Sequence, residues 1–188
     1  MYKLILKIYP GLNTYGFKHY LFRIEWYFLS FLFRITPRHL YFIRNILLRI
    51  SGAKIGKNVK IYPSVVITDP INLTLGDRVN IGWNVCLYCI GKVSIDNDTT
   101  ISQYTHISAG THDINDNFRV IKSNIYIGSN VWIAYGAFVG SGKKDIKIED
   151  NAVLGAKCVV MTNVSKNAVV AGNPAKLLRY RDFYLWLN

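Results

Sequence analysis

Aliphatic residues recur in this chain every six positions, and they do so in sets of three. The sets begin at Ile55, Ile61 and Ile67; at Leu75, Ile81 and Leu87; at Ile95, Ile101 and Ile107; at Ile127, Ile133 and Val139; and at Ile148, Leu154 and Val160. Between sets the step lengthens to 8, 8, 20 and 9 residues. A short fixed period with insertions once per cycle marks a solenoid, whose cycles bury apolar surface only by stacking on one another. Three equal units per cycle predict a prism of five turns, each with three short faces, and all extra residues at one corner. The fifth position of each unit agrees. It reads Val59, Val65, Val79, Val85, Thr99, Thr105, Val131, Ala137, Ala152 and Cys158 on the first two faces, and Ile71, Gly91, Thr111 and Val164 on the third. These small or β-branched residues are expected inside, with polar residues outside, as alternation within short strands requires. Gly56, Gly76, Gly82, Gly128 and Gly155 directly follow an aliphatic start, and are expected to turn the corners through positive φ.

The long step places a polar excursion at 113–124, directly after a histidine, in the middle of the beat. Insertions of this length in a compact fold are usually functional. The stretch 101–139 therefore holds the expected site.

Residues 1–52 carry no six-residue beat. The segment 17–35 is apolar and aromatic but interrupted by Lys18, Arg23, Glu25 and Arg34, and its longest uncharged run is eight residues. A membrane-spanning helix needs about 20 apolar residues, so the expectation is an amphipathic helix. Thr36 as N-cap and Pro37 at the first position predict a second helix over 38–50, stopped by Ser51-Gly52. The two helices are expected to cap the open end of the prism, 53–170. The segment 171–188 is expected to leave the prism as a tail ending in the apolar sequence DFYLWLN.

Charge adds a second role for the helices. The net charge is +12, of which residues 1–50 contribute +7, with 13 of the 26 aromatic residues. A basic, aromatic flank suits an anionic membrane surface, contacted through residues 17–50. No nucleic-acid motif accompanies it. The short apolar run Leu4-Ile5-Leu6 has no cleavage site after it, so the expected location is cytoplasmic, peripheral at the inner face of the membrane. Three cysteines make no disulfide framework. By their place in the beat, Cys86 and Cys89 are expected to face outward and Cys158 inward.

Four histidines are present: His19, His39, His106 and His112. The first two fall in the helical flank. His106 and His112 both hold the sixth position of a unit, one unit apart, hence on different faces, and His112 adjoins the excursion. Imidazole titrates near neutrality and is suited to taking a proton from an attacking hydroxyl.

The phrases ISQYTHISAGTHD, IYIGSNVWIAYGAFV, VVAGNPAKLLR and FLFRITPRHLYFIRNILLRISGAKIG resemble the hexapeptide-repeat acyltransferases, over 53–181 for the prism. Within that family they look most like the branch that O-acetylates sugars of bacterial surface polysaccharides, including the colanic-acid acetyltransferases. The resemblance implies a left-handed parallel β-helix of about five coils, assembled as a homotrimer with its sites between subunits. It implies acetyl-CoA as co-substrate, no metal, and a sugar acceptor, free or lipid-linked. It assigns His112 as general base and the backbone N–H near Tyr135 as oxyanion donor. Trp132 would line the site from the neighbouring subunit. Cys89 stands where some relatives carry an acid that contacts the acceptor, and Asp113 is one of the nearest carboxylates. Gly136, Ala137, Gly155 and Ala156 match close-approach positions along the coenzyme. Met161 and Thr162 replace the usual Thr-Lys, leaving Lys157, Lys176, Arg179 and Arg181 for its phosphates. The alternative is a non-catalytic trimeric scaffold of the same fold, against which the His, the excursion and the Trp argue. A zinc enzyme of this fold needs three His at an interface, which two prism His on different faces do not supply.

Overall fold

The computed structural model describes residues 17–182, with side chains from residue 20 onward. The expectations attached to 1–16, to the tail 183–188 and to the side chain of His19 lie outside the described residues. Two helices, α1 (Phe17–Ile35) and α2 (Tyr41–Ile50), precede a three-faced prism of parallel strands. The first face stacks Lys54–Ile55, Leu73–Leu75, Val93–Ile95, Ile125–Ile127 and Ile146–Ile148. The second stacks Lys60–Ile61, Asn80–Ile81, Thr100–Ile101, Trp132–Ile133, Val153–Leu154 and Ala168–Ala171. The third stacks Val66–Ile67, Cys86–Tyr88, His106–Ser108, Phe138–Gly140 and Val159–Val160.

Register follows the six-residue beat. Ile55 pairs with Leu75, Ile81 with Ile101, and Ile133 with Leu154. The core is thus a set of aliphatic columns, and Ile61, Ile81, Ile101, Ile133 and Leu154 are all at most 1% exposed. Each such side chain contributes about 1.5–3 kcal/mol by leaving water. Among the described residues of the prism, the two buried threonines keep their hydroxyls satisfied: Thr99 Oγ1 donates to Gly128 O at 2.7 Å, and Thr105 Oγ1 to Ala134 O at 3.2 Å.

The structure changes four details. First, the third-face fifth positions are not a uniform inward set, because the corner that takes the insertions breaks the beat. Ile71 is 40% exposed on a short 3-10 turn, Pro70–Asn72, and Thr111 belongs to a hairpin. The inward residues come instead two positions ahead of each first-face start, at Leu73, Val93, Ile125 and Ile146.

Second, the corner glycines do not supply positive φ. That role falls two residues later, on Asn58, Arg78, Asn84, Asn130 and Lys157, at φ of 54–56°. The glycines make room instead. A Cβ on Gly128 would lie 2.4 Å from Asp150 Oδ1, which accepts the Ser129 N–H at 2.8 Å. Gly56 likewise admits Asp77, whose Oδ1 accepts the Lys57 N–H at 2.7 Å.

Third, Thr36 does not cap the second helix. Its Oγ1 donates back to Leu32 O at 2.7 Å, closing α1, and α2 starts after Leu40 without a side-chain cap. The stop is as expected: Gly52 sits at φ +86°, with Gly52 N–H on Arg49 O and Ala53 N–H on Leu48 O, the double bond of a Schellman end.

Fourth, the parallel stack does not stop after five turns. Val164 bridges to Ile148 and Ala168–Ala171 adds to the second face, beginning a sixth turn. Lys176–Tyr180 then returns antiparallel on Ala168–Ala171.

The helices do close the open end, and the bonding direction explains how. N–H groups of each turn donate to carbonyls of the next, as Gly56 N–H does to Leu75 O. First-turn carbonyls therefore have no strand before them, and buried polar groups need partners. Helix side chains supply them. Trp26 Nε1 donates to Ile67 O at 2.7 Å, Arg44 Nε to Ile61 O at 2.7 Å, Asn45 Nδ2 to Val59 O at 2.9 Å, and Arg49 Nη2 to Ile55 O and Gly56 O, both at 2.9 Å. Arg44 is fully buried, and its other nitrogens donate to the carbonyls of Thr36, Pro37 and Arg38. Burial lowers its pKa, a pull that Tyr41 partly opposes. A bidentate pair, Arg23 with Asp69 at 2.7 and 3.0 Å, ties α1 to the insertion corner.

Candidate active site

The excursion forms a two-stranded hairpin rather than a loop. Gly110–Asp113 pairs antiparallel with Arg119–Lys122, placing His112 opposite Val120 and Asp113 opposite Arg119. The hairpin rises from the corner between third and first faces, in the third turn. Its tip is held by Asp116 N–H on Asp113 O, Arg119 N–H on Asp116 O, and left-handed backbone at Asn117 and Phe118, φ 44° and 53°.

That tip positions His112. Its imidazole is exposed, and its Nδ1 lies 2.6 Å from the carbonyl oxygen of Phe118. A carbonyl only accepts, so Nδ1 carries a proton and donates, and in the neutral ring Nε2 keeps its lone pair. The ring is thus held as the tautomer a general base requires. His106 differs: half-buried on the third face, its ring centroid lies 5.5 Å from that of Phe138, and burial lowers its pKa.

Asp113 is buried at the hairpin base. It accepts two bonds from Lys143 Nζ, both 3.0 Å, and one from Asn115 N–H at 3.1 Å. The lysine bond, first, and then the Asn115 N–H hold its carboxyl below the usual range. Asp113 therefore fastens the hairpin to the next turn of the same corner. Lys143 and Phe118 were not singled out from the sequence. Nothing in a six-residue beat marks either one, since each acts through the folding-back of the hairpin.

Cys89 does not face outward. It is fully buried, and burial pushes its thiol pKa up, with Asp69 adding to the shift. The insertion corner turns it inward: Thr68 Oγ1 accepts the Cys89 N–H at 2.9 Å and Asn72 Nδ2 donates to Cys89 O at 2.9 Å. In this chain the thiol offers an acceptor no exposed atom.

The remaining candidates form two groups. Tyr135, Gly136 and Ala137 turn the corner between second and third faces. Gly155, Ala156 and Lys157 turn it one coil later, with Lys157 N–H on Tyr135 O at 2.8 Å. Gly136 stands at φ +65°. Among the described residues, the Tyr135 and Ala156 N–H groups donate to no protein acceptor, whereas the equivalent N–H groups of Ser129 and Lys57 are taken by Asp side chains. This corner thus presents free backbone donors. Exposed aromatic rings run beside it, Trp83 to Tyr104 at 4.7 Å and Tyr104 to Tyr135 at 5.5 Å, both edge-to-face.

Trp132 lies on the second face, 51% exposed, with Nε1 donating to Ser102 Oγ at 3.1 Å. It shares a groove of about 670 Å³ with Arg179 and Arg181. Arg181 Nη1 also donates to Asn151 O at 3.1 Å. Lys176 is exposed at the start of the returning strand. Within one chain, then, the third face separates His112 from the Tyr135 corner.

No family model matches the sequence. Individual relatives do. The chain is 41% identical over 160 residues to Escherichia coli K12 WcaF, named for an acetyltransferase of colanic acid biosynthesis, covering 85% of this chain and 86% of that protein. It is 26% identical over 140 residues to the Escherichia coli K12 galactoside O-acetyltransferase, covering 72% and 68%. Among solved structures, a maltose O-acetyltransferase from Clostridium difficile 630 superposes with a TM-score of 0.80 at 24% identity, over 91% of both chains. A galactoside acetyltransferase in complex with coenzyme A gives 0.80 at 22% identity, over 89% and 84%. The prism is thus the left-handed β-helix of acetyltransferases, and the chain belongs to the hexapeptide-repeat acetyltransferases.

Proposed function

We propose that this acetyltransferase is an acetyl-CoA-dependent O-acetyltransferase acting on a sugar hydroxyl of a bacterial surface polysaccharide or of its lipid-linked precursor. One observation carries the chemistry: the Phe118 carbonyl holds His112 with Nε2 free on an exposed hairpin. Nε2 takes the proton of the acceptor hydroxyl as its oxygen adds to the acetyl carbonyl. The oxyanion that forms is met by the Tyr135 N–H. Collapse breaks the C–S bond, and the imidazolium returns its proton to the departing thiolate.

His112 and Tyr135 lie on different corners, so a complete site takes His112 from one chain and the Trp132–Tyr135 edge from another, as in a homotrimer. The coenzyme then follows the corner of Gly136, Ala137, Gly155 and Ala156. Lys157, Lys176, Arg179 and Arg181 are the cations available to its phosphates. The coenzyme A complex of a structural neighbour supports the co-substrate. WcaF supports the polysaccharide setting by its name, and the galactoside and maltose enzymes support a sugar acceptor. Among the described residues no helix is long and apolar enough to cross a membrane. The exposed apolar residues of α1 and α2 suit contact with a bilayer surface, where a lipid-linked acceptor is presented at the inner face.

The test compares wild type with His112→Ala for acetyl-CoA binding by calorimetry and for thiol release with candidate sugars. Equal binding with thiol release lost by about 10²–10⁴-fold is expected. No binding by wild type at millimolar acetyl-CoA sinks the enzymatic reading and favours a scaffold.

A further inference from the structure

A groove of about 780 Å³ lies between α2 and the first turns, at the corner between first and second faces. It is on a different corner from the His112 hairpin. One wall is apolar, formed by Phe42 and Ile46, which are 60% and 48% exposed. The other is cationic, formed by Arg49, Lys57 and Lys60, with no Asp or Glu in the lining. Among the described residues neither Lys57 nor Lys60 makes an ion pair.

Asn45 lines the same groove and supplies a second, independent signal. It is 6% exposed, and its Nδ2 is committed to Val59 O at 2.9 Å, which settles which amide atom is which. Its Oδ1 is buried and has no hydrogen-bond partner. An unpaired buried acceptor costs about 1–3 kcal/mol and is relieved by a donor. A ligand for this groove is therefore anionic, carries a hydroxyl, and has an apolar portion.

The helices beside the groove say where such a ligand comes from. Ile24, Tyr27, Phe28, Phe31 and Ile35 of α1 are 58–75% exposed, on the side opposite the buried Trp26 and Phe33. In α2, Phe42, Ile46 and Ile50 form an exposed stripe at four-residue spacing. Apolar surface rimmed by cations is the pattern of a helix lying in a bilayer interface. A second copy of this chain, itself at +12, is a poor partner for that cationic rim.

We propose that this groove holds the hydroxyl-bearing phosphate headgroup of an anionic bilayer lipid. Lys57 and Lys60 take the phosphate, Asn45 Oδ1 accepts from the headgroup hydroxyl, and the acyl chains leave along Phe42 and Ile46. The proposal deepens the membrane contact inferred above and rests on it. The prism then stands on the bilayer by its helical end, which holds the third-turn hairpin with His112 at a fixed height. Two coils at about 4.8 Å and one helix diameter of about 10 Å place it about 20 Å above the interface.

The experiment is vesicle co-sedimentation of the full chain, without acetyl-CoA. Phosphatidylcholine vesicles are compared with ones containing phosphatidylglycerol, or phosphatidic acid at equal charge. Wild type is expected to favour phosphatidylglycerol over both. Lys57→Ala with Lys60→Ala is expected to weaken that binding about thirtyfold, while thiol release without vesicles stays at the wild-type level. Phe28→Asp with Phe31→Asp is expected to abolish all vesicle binding. Equal binding to phosphatidylcholine and phosphatidylglycerol, or a double lysine variant that binds like wild type, overturns the groove but leaves membrane contact standing. No binding of wild type to any vesicle overturns both. Displacement of bound vesicles by free glycerol phosphate at micromolar concentration overturns the lipid assignment.

Discussion

The Phe118 carbonyl oxygen lies 2.6 Å from His112 Nδ1, on backbone that is left-handed at Phe118, φ 53°. The peptide group does the positioning, not the phenyl ring, which is 67% exposed. Phe118→Gly is therefore expected to keep thiol-release activity within a few-fold, because glycine adopts this φ freely. Phe118→Pro is locked near φ −65°; it is expected to lose about 10²-fold, the cost of misplacing a reacting group by about 1 Å. Kinetics of the two variants, with circular dichroism to confirm folding, read the difference. Equal activities in both would remove the carbonyl from the mechanism.

The Asp113–Lys143 pair makes hairpin anchoring pH-dependent. Asp113 titrates below its unfolded value of about 3.9. A depressed carboxylate stabilises the fold above that value, and the contribution is lost as pH falls through the folded titration. Lys143→Ala removes the principal cause. The difference in Tm between wild type and Lys143→Ala is expected to be constant above about pH 5 and to shrink toward zero in stronger acid. A melting series across that range measures it, and a difference that grows on acidification contradicts the assignment.

The base of the prism is satisfied from the helices, so removing one donor strands a carbonyl. Trp26→Phe keeps most of the buried ring but deletes the bond to Ile67 O. A loss of about 1–3 kcal/mol is expected by denaturant unfolding. Arg44→Met strands the carbonyls of Ile61, Thr36, Pro37 and Arg38 together and is expected to cost more.

Glycines at the corners separate cleanly into two kinds. Gly128→Ala puts a methyl 2.4 Å from Asp150 Oδ1 and 2.8 Å from Asp150 N, and a loss of about 1–3 kcal/mol is expected. Gly142→Ala meets nothing within 4 Å and is expected to stay within about 0.5 kcal/mol of wild type. Comparable losses in both would mean that close approach between turns is not what selects glycine.

The six-residue beat by itself determined the prism, its three faces, its register and the corner that takes the insertions. A solenoid is nearly one-dimensional, so each unit's contacts follow from its place in the period. The place of His112, in the hairpin where the beat breaks, was legible for the same reason. The corner glycines were found correctly but for the wrong cause: composition suggests a turn, and only the stacked coil shows Asp150 occupying the space. Cys89 was misplaced, and Leu73, Val93, Ile125 and Ile146 were overlooked, because the insertion corner obeys no period and its side-chain directions follow from local bonds. What the tertiary structure alone decided was non-periodic: the Phe118 carbonyl on His112, Lys143 on Asp113, and the helix side chains on first-turn carbonyls. Each joins segments whose spacing in the chain has no fixed relation to the repeat, so directional hydrogen bonds, not hydrophobic pattern, select them.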